Sequence, residues 1–294
     1  MTDRPSDEID SAGNVANHPH SAPGIQTSCP ICSGPVELFC TKRAQDHDWK
    51  INRCLSCGHG FVANRPSLSD LTFANEDISL VHELGSFTRE AYEGRSDARD
   101  LADSMARLTK VRGRALDIGA GDGSFSYHLG RHGYQPTLLD LDPRAQQATS
   151  FIPGSQFRQV PFESLDDPGP FAAILMSQVL EHALDPMDWL QRSRDLLQPG
   201  GLLVIAVPNF GGVYRVLGTN DPFLIPPVHV NFFTPKSLRR AIETAGMRVT
   251  HMDSRSGVPV GGGIKAVVRR AWNAGSVLLN ATTQGIVLRA FASR

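Results

Sequence analysis

The chain has 294 residues, 40 % of them hydrophobic, with a formal charge of −1 and a pI near 6.8. That length suits one α/β domain plus an appendage, with enough apolar surface to bury a core. The near-neutral charge removes any bulk attraction to nucleic acid or an anionic membrane, and no apolar run approaches the roughly 20 residues that span a bilayer. The expectation is a cytoplasmic protein with no transmembrane segment and no nucleic-acid partner.

Residues 1–26 are polar and rich in Pro, Gly and Ser, without the basic and apolar regions of a signal peptide, and read as a disordered tail. His18 and His20 lie there as solvated side chains. Residues 27–66 carry "CPIC" (Cys29, Cys32) and, 21 residues later, "CLSC" (Cys54, Cys57). In a chain without export signals this pairing points to zinc rather than disulfides, because two CxxC turns complete a tetrahedral S4 shell. The spacing lies just beyond the usual ribbon range, which a loop absorbs. Such a closed site serves folding or docking. Pro30 stiffens the first turn and Gly58 frees the backbone after the second. Cys40, after "VELF", reads as a small hydrophobe in a strand, and His59 stands too close to Cys57 to join the shell.

Residues 67–110 read as a helical lid or linker, with Leu101, Met105 and Leu108 forming an apolar stripe. Phe87 and Tyr92 belong either to a lid or to plain packing. From 111 to 294 strands and helices alternate: "RALDIG", "GSFSYHLGRHG", "YQPTLLDLD", "PRAQQATSF", "QFRQVPF", "FAAILMS", "DPMDWLQRSRDLL" capped by Asp185 and closed by "QPGG", "GLLVIAVPN", "TPKSLRRAIETAG" starting from Thr234, "MRVTHMDS" and "GIVLRAFAS". That rhythm specifies a doubly wound, mostly parallel α/β sheet of Rossmann-like type with helices on both faces. A helical insertion is expected at 256–284. Its 264–279 stretch is amphipathic and suits packing over the site, contact with another subunit (a homodimer), or approach to a membrane surface. The "NAT" sequon at 280–282 has no role in the cytoplasm.

In an open α/β sheet, ligands bind at the carboxyl ends of the strands where their order reverses, so the first strand-to-helix turn is the binding site. Here that turn reads "DIGAGDG". Glycines allow a sharp turn and close backbone approach to a ligand. The G-x-G-x-G spacing departs from the dinucleotide fingerprint, and Asp117 suits a ligand bearing an ammonium group rather than a phosphate. Asp140 follows Gly123 by 17 residues, at the end of the second strand, where an acid can hold a ribose diol. Asp142 is the reserve on the same face.

These residues resemble the class I S-adenosylmethionine-dependent methyltransferases, of the kind grouped as methyltransferase domain family 23. The match runs from about 110 to 254, through "LDIGAGDGSF", "LLDLDP", "PFESL", "MSQVLEHALDP", "LLQPGGLLVIAVPN" and "HVNFFTPKSLRRAIETAGM". The resemblance implies a seven-stranded sheet whose last strand runs antiparallel between its neighbours. It implies that Asp117, Gly119, Ala120, Gly121 and Gly123 surround the methionine end of S-adenosylmethionine. Asp140, beside Leu141, would take the ribose; Phe162 and Glu163 would flank the adenine; Ser177 and Gln178 would line the floor.

Methyl transfer from a sulfonium needs alignment above all, and a general base where the nucleophile carries a proton. Glu181 and His182 in "LEHALDP" and His229 in "PPVHVNFF" are the candidates. Histidine suits proton transfer near neutral pH, though His182 could equally orient a helix, and Glu181 could be a structural acid. Asn209 either touches substrate or only makes a turn. The leading expectation is a small-molecule methyltransferase with a structural zinc ribbon, acting on a sugar, polysaccharide precursor or natural product. The alternatives are an RNA methyltransferase with a zinc module, a non-catalytic binding protein that keeps only the domain, and a nicotinamide dehydrogenase, which the glycine spacing disfavours.

Overall fold

The computed structural model describes residues 25–67, 86–256 and 283–294. The expectations for residues 1–24 of the tail (with His18 and His20), for 68–85 and for the 257–282 part of the 256–284 insertion (with its amphipathic stretch and the sequon) fall outside the described residues. Ile25 and Gln26, expected in the disordered tail, instead pair with Asn64 and Ala63 of the ribbon.

In chain order the elements are β1 (Val36–Ala44), β2 (His47–Cys54), β3 (Gly60–Val62), α1 (Arg89–Gly94), α2 (Ser96–Leu108), β4 (Arg114–Ile118), α3 (Ser124–Arg131) and β5 (Gln135–Leu139). A 3-10 helix (Pro143–Phe151) precedes β6 (Gln156–Arg158), β7 (Phe171–Ser177) and a 3-10 turn (Leu180–His182). Then come α4 (Pro186–Leu196), β8 (Leu197–Pro208), β9 (Asn231–Phe232), α5 (Pro235–Thr244), β10 (Arg248–Arg255) and β11 (Val287–Ser293).

The main sheet has seven strands in the order β10-β11-β8-β7-β4-β5-β6. β11 is antiparallel to both β10 and β8, while β8, β7, β4, β5 and β6 pair in parallel. The last strand is thus inserted in reverse, as the resemblance implies. Strand side chains alternate between two cores, which is the period-2 consequence of burying both faces. Ala115, Ala173, Leu175, Leu202 and Val204 pack with Leu101, Met105 and Leu129 of α2 and α3. Leu116, Ile174, Met176, Leu203 and Ile205 pack with Leu190, Leu238 and Ile242 of α4 and α5. Leu108, expected in the α2 stripe, is 42 % exposed in the last turn. Tyr92 is fully buried and stacks on Tyr127 at 4.9 Å, with Phe87 packed against the same cluster, so this end of the lid segment is core packing.

Local chemistry explains the boundaries. Asp185 accepts from the N–H groups of Met187 and Asp188, and Thr234 and Ser237 form a capping box ahead of α5. The 143–151 segment winds as a 3-10 helix, with Asp142 accepting from the Arg144 N–H. The "QPGG" stretch, expected only to close α4, belongs to β8, because the ladder slips between Phe171 and Ala173 and lets the chain rejoin it. Arg289 of β11 is held by both oxygens of Asp253 (2.7 and 2.6 Å) and by Asp100 (2.7 Å), tying β11 to β10 and α2.

The N-terminal sheet is β1-β2-β3-β9, so its fourth strand comes from far along the chain. Gly60 pairs with Phe232 and Phe61 with Asn231. Lys236 donates to the Ser56 carbonyl at 2.6 Å, and Cys29, Cys54 and Cys57 join the same apolar cluster as Phe233 and Leu238. The ribbon is part of the molecule's packing, not a tethered bead.

Gly123 begins α3 at φ +76°, where a Cβ would stand 2.5 Å from the Ala148 Cβ. Gly123→Ala is expected to cost about 2–4 kcal/mol, from left-handed strain plus overpacking, read as a lowered denaturation midpoint. An unchanged midpoint would contradict this packing.

Candidate functional site

β4 and β5 end level with one another, Ile118 opposite Leu139. The loop leaving β4 is fastened to the end of β5: the N–H groups of Gly119 and Ala120 donate to the Leu139 carbonyl (2.7 and 3.1 Å). The Gly121 N–H then donates to Asp140 Oδ2 at 2.7 Å, while Asp140 Oδ1 accepts from the Asp142 N–H at 2.9 Å. Each Asp140 oxygen thus has one backbone donor and keeps a free lone pair. Gly119 faces Val179, where a Cβ would lie 2.5 Å from Cγ2; a Cβ on Gly121 would meet open space. The middle glycine therefore faces the open side of the loop, and the outer ones are demanded by packing. Leu141 is 62 % exposed beside it.

Asp117 lies beneath this loop and is buried, with Ser126 Oγ of α3 donating to its Oδ2 at 2.7 Å. Burial pushes its carboxyl up to about 7, with smaller contributions from Asp140 and Asp122, against the Ser126 hydrogen bond. Asp122, itself held by Arg95 at 2.9 Å, completes an acidic surround to the loop. Asp122 lies within the run 119–123 that the resemblance places around the ligand, whereas Ser126 is not singled out by the motif. The signal for Ser126 was a hydroxyl in the first turn of the helix that follows the glycine loop.

The other expected cofactor residues are distributed around β6 and β7. Phe162 is buried edge-to-face against Trp189 at 5.3 Å, and Glu163 accepts from Trp189 Nε1 at 2.7 Å. Trp189 was also missed. Ser177 ends β7 half-buried, and Gln178 takes φ +58° with its N–H on the Ala206 carbonyl at 2.7 Å. Asn209 is buried and bonds the Thr283 and Gly285 carbonyls (3.0 and 2.8 Å), so it is an anchor of the chain ahead of β11.

Glu181, His182 and His229 come together: one ligand atom from each lies within 4.8 Å of the others. The imidazoles meet edge-to-face at 5.0 Å. Each ring uses Nδ1 on a backbone carbonyl, His182 on Val228 (2.7 Å) and His229 on Phe223 (2.9 Å). A carbonyl only accepts, so both Nδ1 atoms carry the proton and both Nε2 atoms keep a lone pair. Burial pushes His182 down and His229 down to about 4, the latter also through His182. Glu181 is buried with neither carboxylate oxygen bonded, and burial pushes it up to about 8. The Val230 N–H donates to the Glu181 carbonyl at 2.9 Å, which fixes the His229 loop to the β7 exit. Val179, in the same exit, is the residue against Gly119.

The four cysteines converge as the spacing requires. Sγ separations of 3.6 Å (Cys29–Cys57) and 3.5 Å (Cys32–Cys54) are too long for disulfides. They approach the ~3.8 Å edge of a tetrahedron with ~2.3 Å zinc–sulfur bonds. N–H groups of Ile31, Ser56 and Cys57 point at the sulfurs of Cys29 and Cys54 (3.3–3.4 Å). Gly58 follows at φ +76°. Cys40 is half-buried in β1, and His59 is fully buried and not among the clustered ligands, with Nε2 on Asn231 Oδ1 at 3.3 Å. A groove of about 460 Å³ runs between the ribbon and Phe210, Arg215 and Thr234, and shares no lining residue with the glycine loop.

Residues 91–252 match the family model described as "Methyltransferase domain". The chain is 33 % identical over 131 residues (42 % of this chain, 50 % of the relative) to the ubiquinone biosynthesis O-methyltransferase of Caulobacter sp. strain K31. It is 27 % identical over 215 residues (66 % of this chain, 86 % of the relative) to the protein of that name from Xylella fastidiosa strain M23. The chain spans about half the length of the first curated relatives it matches. Among solved structures, an S-adenosylmethionine-dependent methyltransferase from Mesorhizobium loti superposes with a TM-score of 0.51 at 20 % identity, covering 69 % of this chain and 100 % of that one, and shares the fold.

The raised Asp117 carboxyl makes a signed prediction about stability. Between the ordinary 3.8 and about 7 the folded protein holds a proton that the unfolded chain has released, so stability falls as pH rises through that window. Asp117→Asn has no such proton. Its melting temperature relative to wild type is expected to climb from pH 4 to pH 7; a constant difference would show that Asp117 is not buried as described.

Proposed function

Because the chain belongs to the methyltransferase domain family, we propose that it transfers a methyl group from S-adenosylmethionine to a small-molecule acceptor, with zinc held by Cys29, Cys32, Cys54 and Cys57 as a structural ion. The observation that carries this reading is the braced glycine loop, open at Gly121 and ringed by Asp117, Asp122 and Asp140. The Asp140 carboxylate on the open side of the loop, with Arg95 already paired to Asp97 and Asp122, suits a cationic ligand better than a pyrophosphate.

S-adenosylmethionine supplies an electrophilic methyl on a sulfonium sulfur, which returns to a neutral thioether when an acceptor's lone pair takes the methyl. The chain's own residues do the rest. The backbone of Gly119, Ala120, Gly121 and Gly123 would pass along the amino acid end, above Asp117. Asp140, with free lone pairs on both oxygens, would accept the ribose hydroxyls while still bracing Gly121, and exposed Leu141 would lie against the base. Phe162 and Glu163, fixed by Trp189, would border the adenine end, and Ser177 and Gln178 would form the floor. Glu181, His182 and His229 would meet the acceptor. Such a group can activate a nucleophile by taking its proton or by holding a cation that lowers its pKa.

The relatives' name, ubiquinone biosynthesis O-methyltransferase, favours an oxygen acceptor, so we assign a hydroxyl-bearing small molecule as the substrate class. The slightly negative charge disfavours RNA. Among the described residues no helix is long and apolar enough to cross a membrane. Labelled methyl transfer from S-adenosylmethionine into a panel of hydroxylated small molecules tests the reading. Label in none of them, with none in RNA, would oppose catalysis.

Asp140→Ala is expected to weaken S-adenosylhomocysteine binding by about 1–3 kcal/mol in calorimetry, the loss of a charged hydrogen-bond partner. Wild-type affinity would remove Asp140 from the ribose. His229→Ala should lower turnover at least tenfold while leaving cofactor affinity alone, and unchanged turnover would make His229 structural.

A further inference from the structure

We propose that Glu181, His182 and His229 form a second metal site, distinct from the cysteine cluster and suited to a divalent first-row transition cation such as Zn2+. The acceptor's use of that ion would rest on the methyl-transfer reading; the binding itself stands on the side chains.

Three features support it. The first is the donor set. Two imidazoles and one carboxylate, with no sulfur, make the 2-His-1-carboxylate combination that holds zinc or iron and leaves coordination positions open. The second is the tautomer. Both rings give Nδ1–H to backbone carbonyls, at 2.7 and 2.9 Å. That is the usual outer partner of a metal-bound histidine, and it leaves Nε2 as the ring nitrogen with the lone pair. The third is the orphaned acid. Glu181 is 1 % exposed and neither oxygen has a hydrogen-bond partner, a cost natural structures rarely leave unmet. Among the described residues no cationic side chain is paired with it, and a cation between it and the two lone pairs would satisfy all three groups at once.

The geometry needs little change. The three ligand atoms lie within 4.8 Å of one another, and donors on one ion at ~2.1 Å stand about 3–3.5 Å apart. Closing by roughly an ångström is within reach of the soft terminal torsion of a glutamate. The backbone is already fixed, since the Val230 N–H holds the Glu181 carbonyl and the His229 N–H holds that of Ile225. Coordination also distinguishes this group from the ribbon, whose ligands are all sulfur.

The whole chain is loaded with Zn2+, desalted and its metal counted against protein. The expected result is two zinc ions per chain for wild type and one for the double variant Glu181→Gln/His229→Gln, whose fold is checked by circular dichroism. Cobalt substitution identifies the sites. The first equivalent should show intense thiolate-to-cobalt charge transfer, and the second only weaker d–d bands, absent from the variant. One ion per chain in wild type, or a second ion retained by the variant, overturns the proposal. Should the double variant misfold, His182→Ala takes its place, and the wild-type count decides in any case. S-adenosylhomocysteine calorimetry on the same sample separates the two readings. Cofactor bound with a single zinc sinks the second metal site alone; two zinc ions with no cofactor sink the methyl-transfer reading alone.

Discussion

Two parallel strands that end level, β4 and β5, are the constraint on which the site depends. Their shared register puts the Leu139 carbonyl under the N–H groups of Gly119 and Ala120 and the Asp140 carboxylate under that of Gly121. A one-residue slip would turn Asp140 to the other face and release the loop. The register is held by burial of both sheet faces, so the apolar cores that alternate along β4, β7 and β8 are what aim a polar loop at its ligand. Stability and site geometry are here the same fact.

The second organising feature is the exchange between ribbon and sheet. β9 completes the N-terminal sheet, and the chain immediately before it carries His229, whose neighbour Val230 bonds both Glu181 and Val62. Asn231 adds a bond to the Ala183 carbonyl at 2.7 Å and another to His59. The cysteine cluster therefore packs with the segment that brings His229 to Glu181 and His182.

Much of this was legible in the sequence. The αβ rhythm, the caps at Asp185 and Thr234, the glycine loop, Asp140 and the paired CxxC turns are encoded by local spacing, and local spacing survives into the fold. What was not legible depended on distant partners. Nothing near Asn231 or Phe232 announces a two-residue strand that pairs with Gly60 and Phe61. The Glu163–Trp189 bond joins residues 26 apart. The "QPGG" turn lies in a strand because of the neighbouring ladder, not because of its own residues. Asp117 was expected beside a ligand's ammonium group, and its pairing with Ser126 beneath the loop emerges only once α3 is laid over β4.

The central claim is that a sulfonium methyl donor lies across the first crossover of the sheet. The most direct measurement is a crystal structure of the whole chain grown with S-adenosylhomocysteine. The account requires the ribose hydroxyls on the Asp140 carboxylate and the amino acid end along 117–123. Density for the nucleoside in the groove between ribbon and sheet, or none at the glycine loop under saturating ligand, would contradict it.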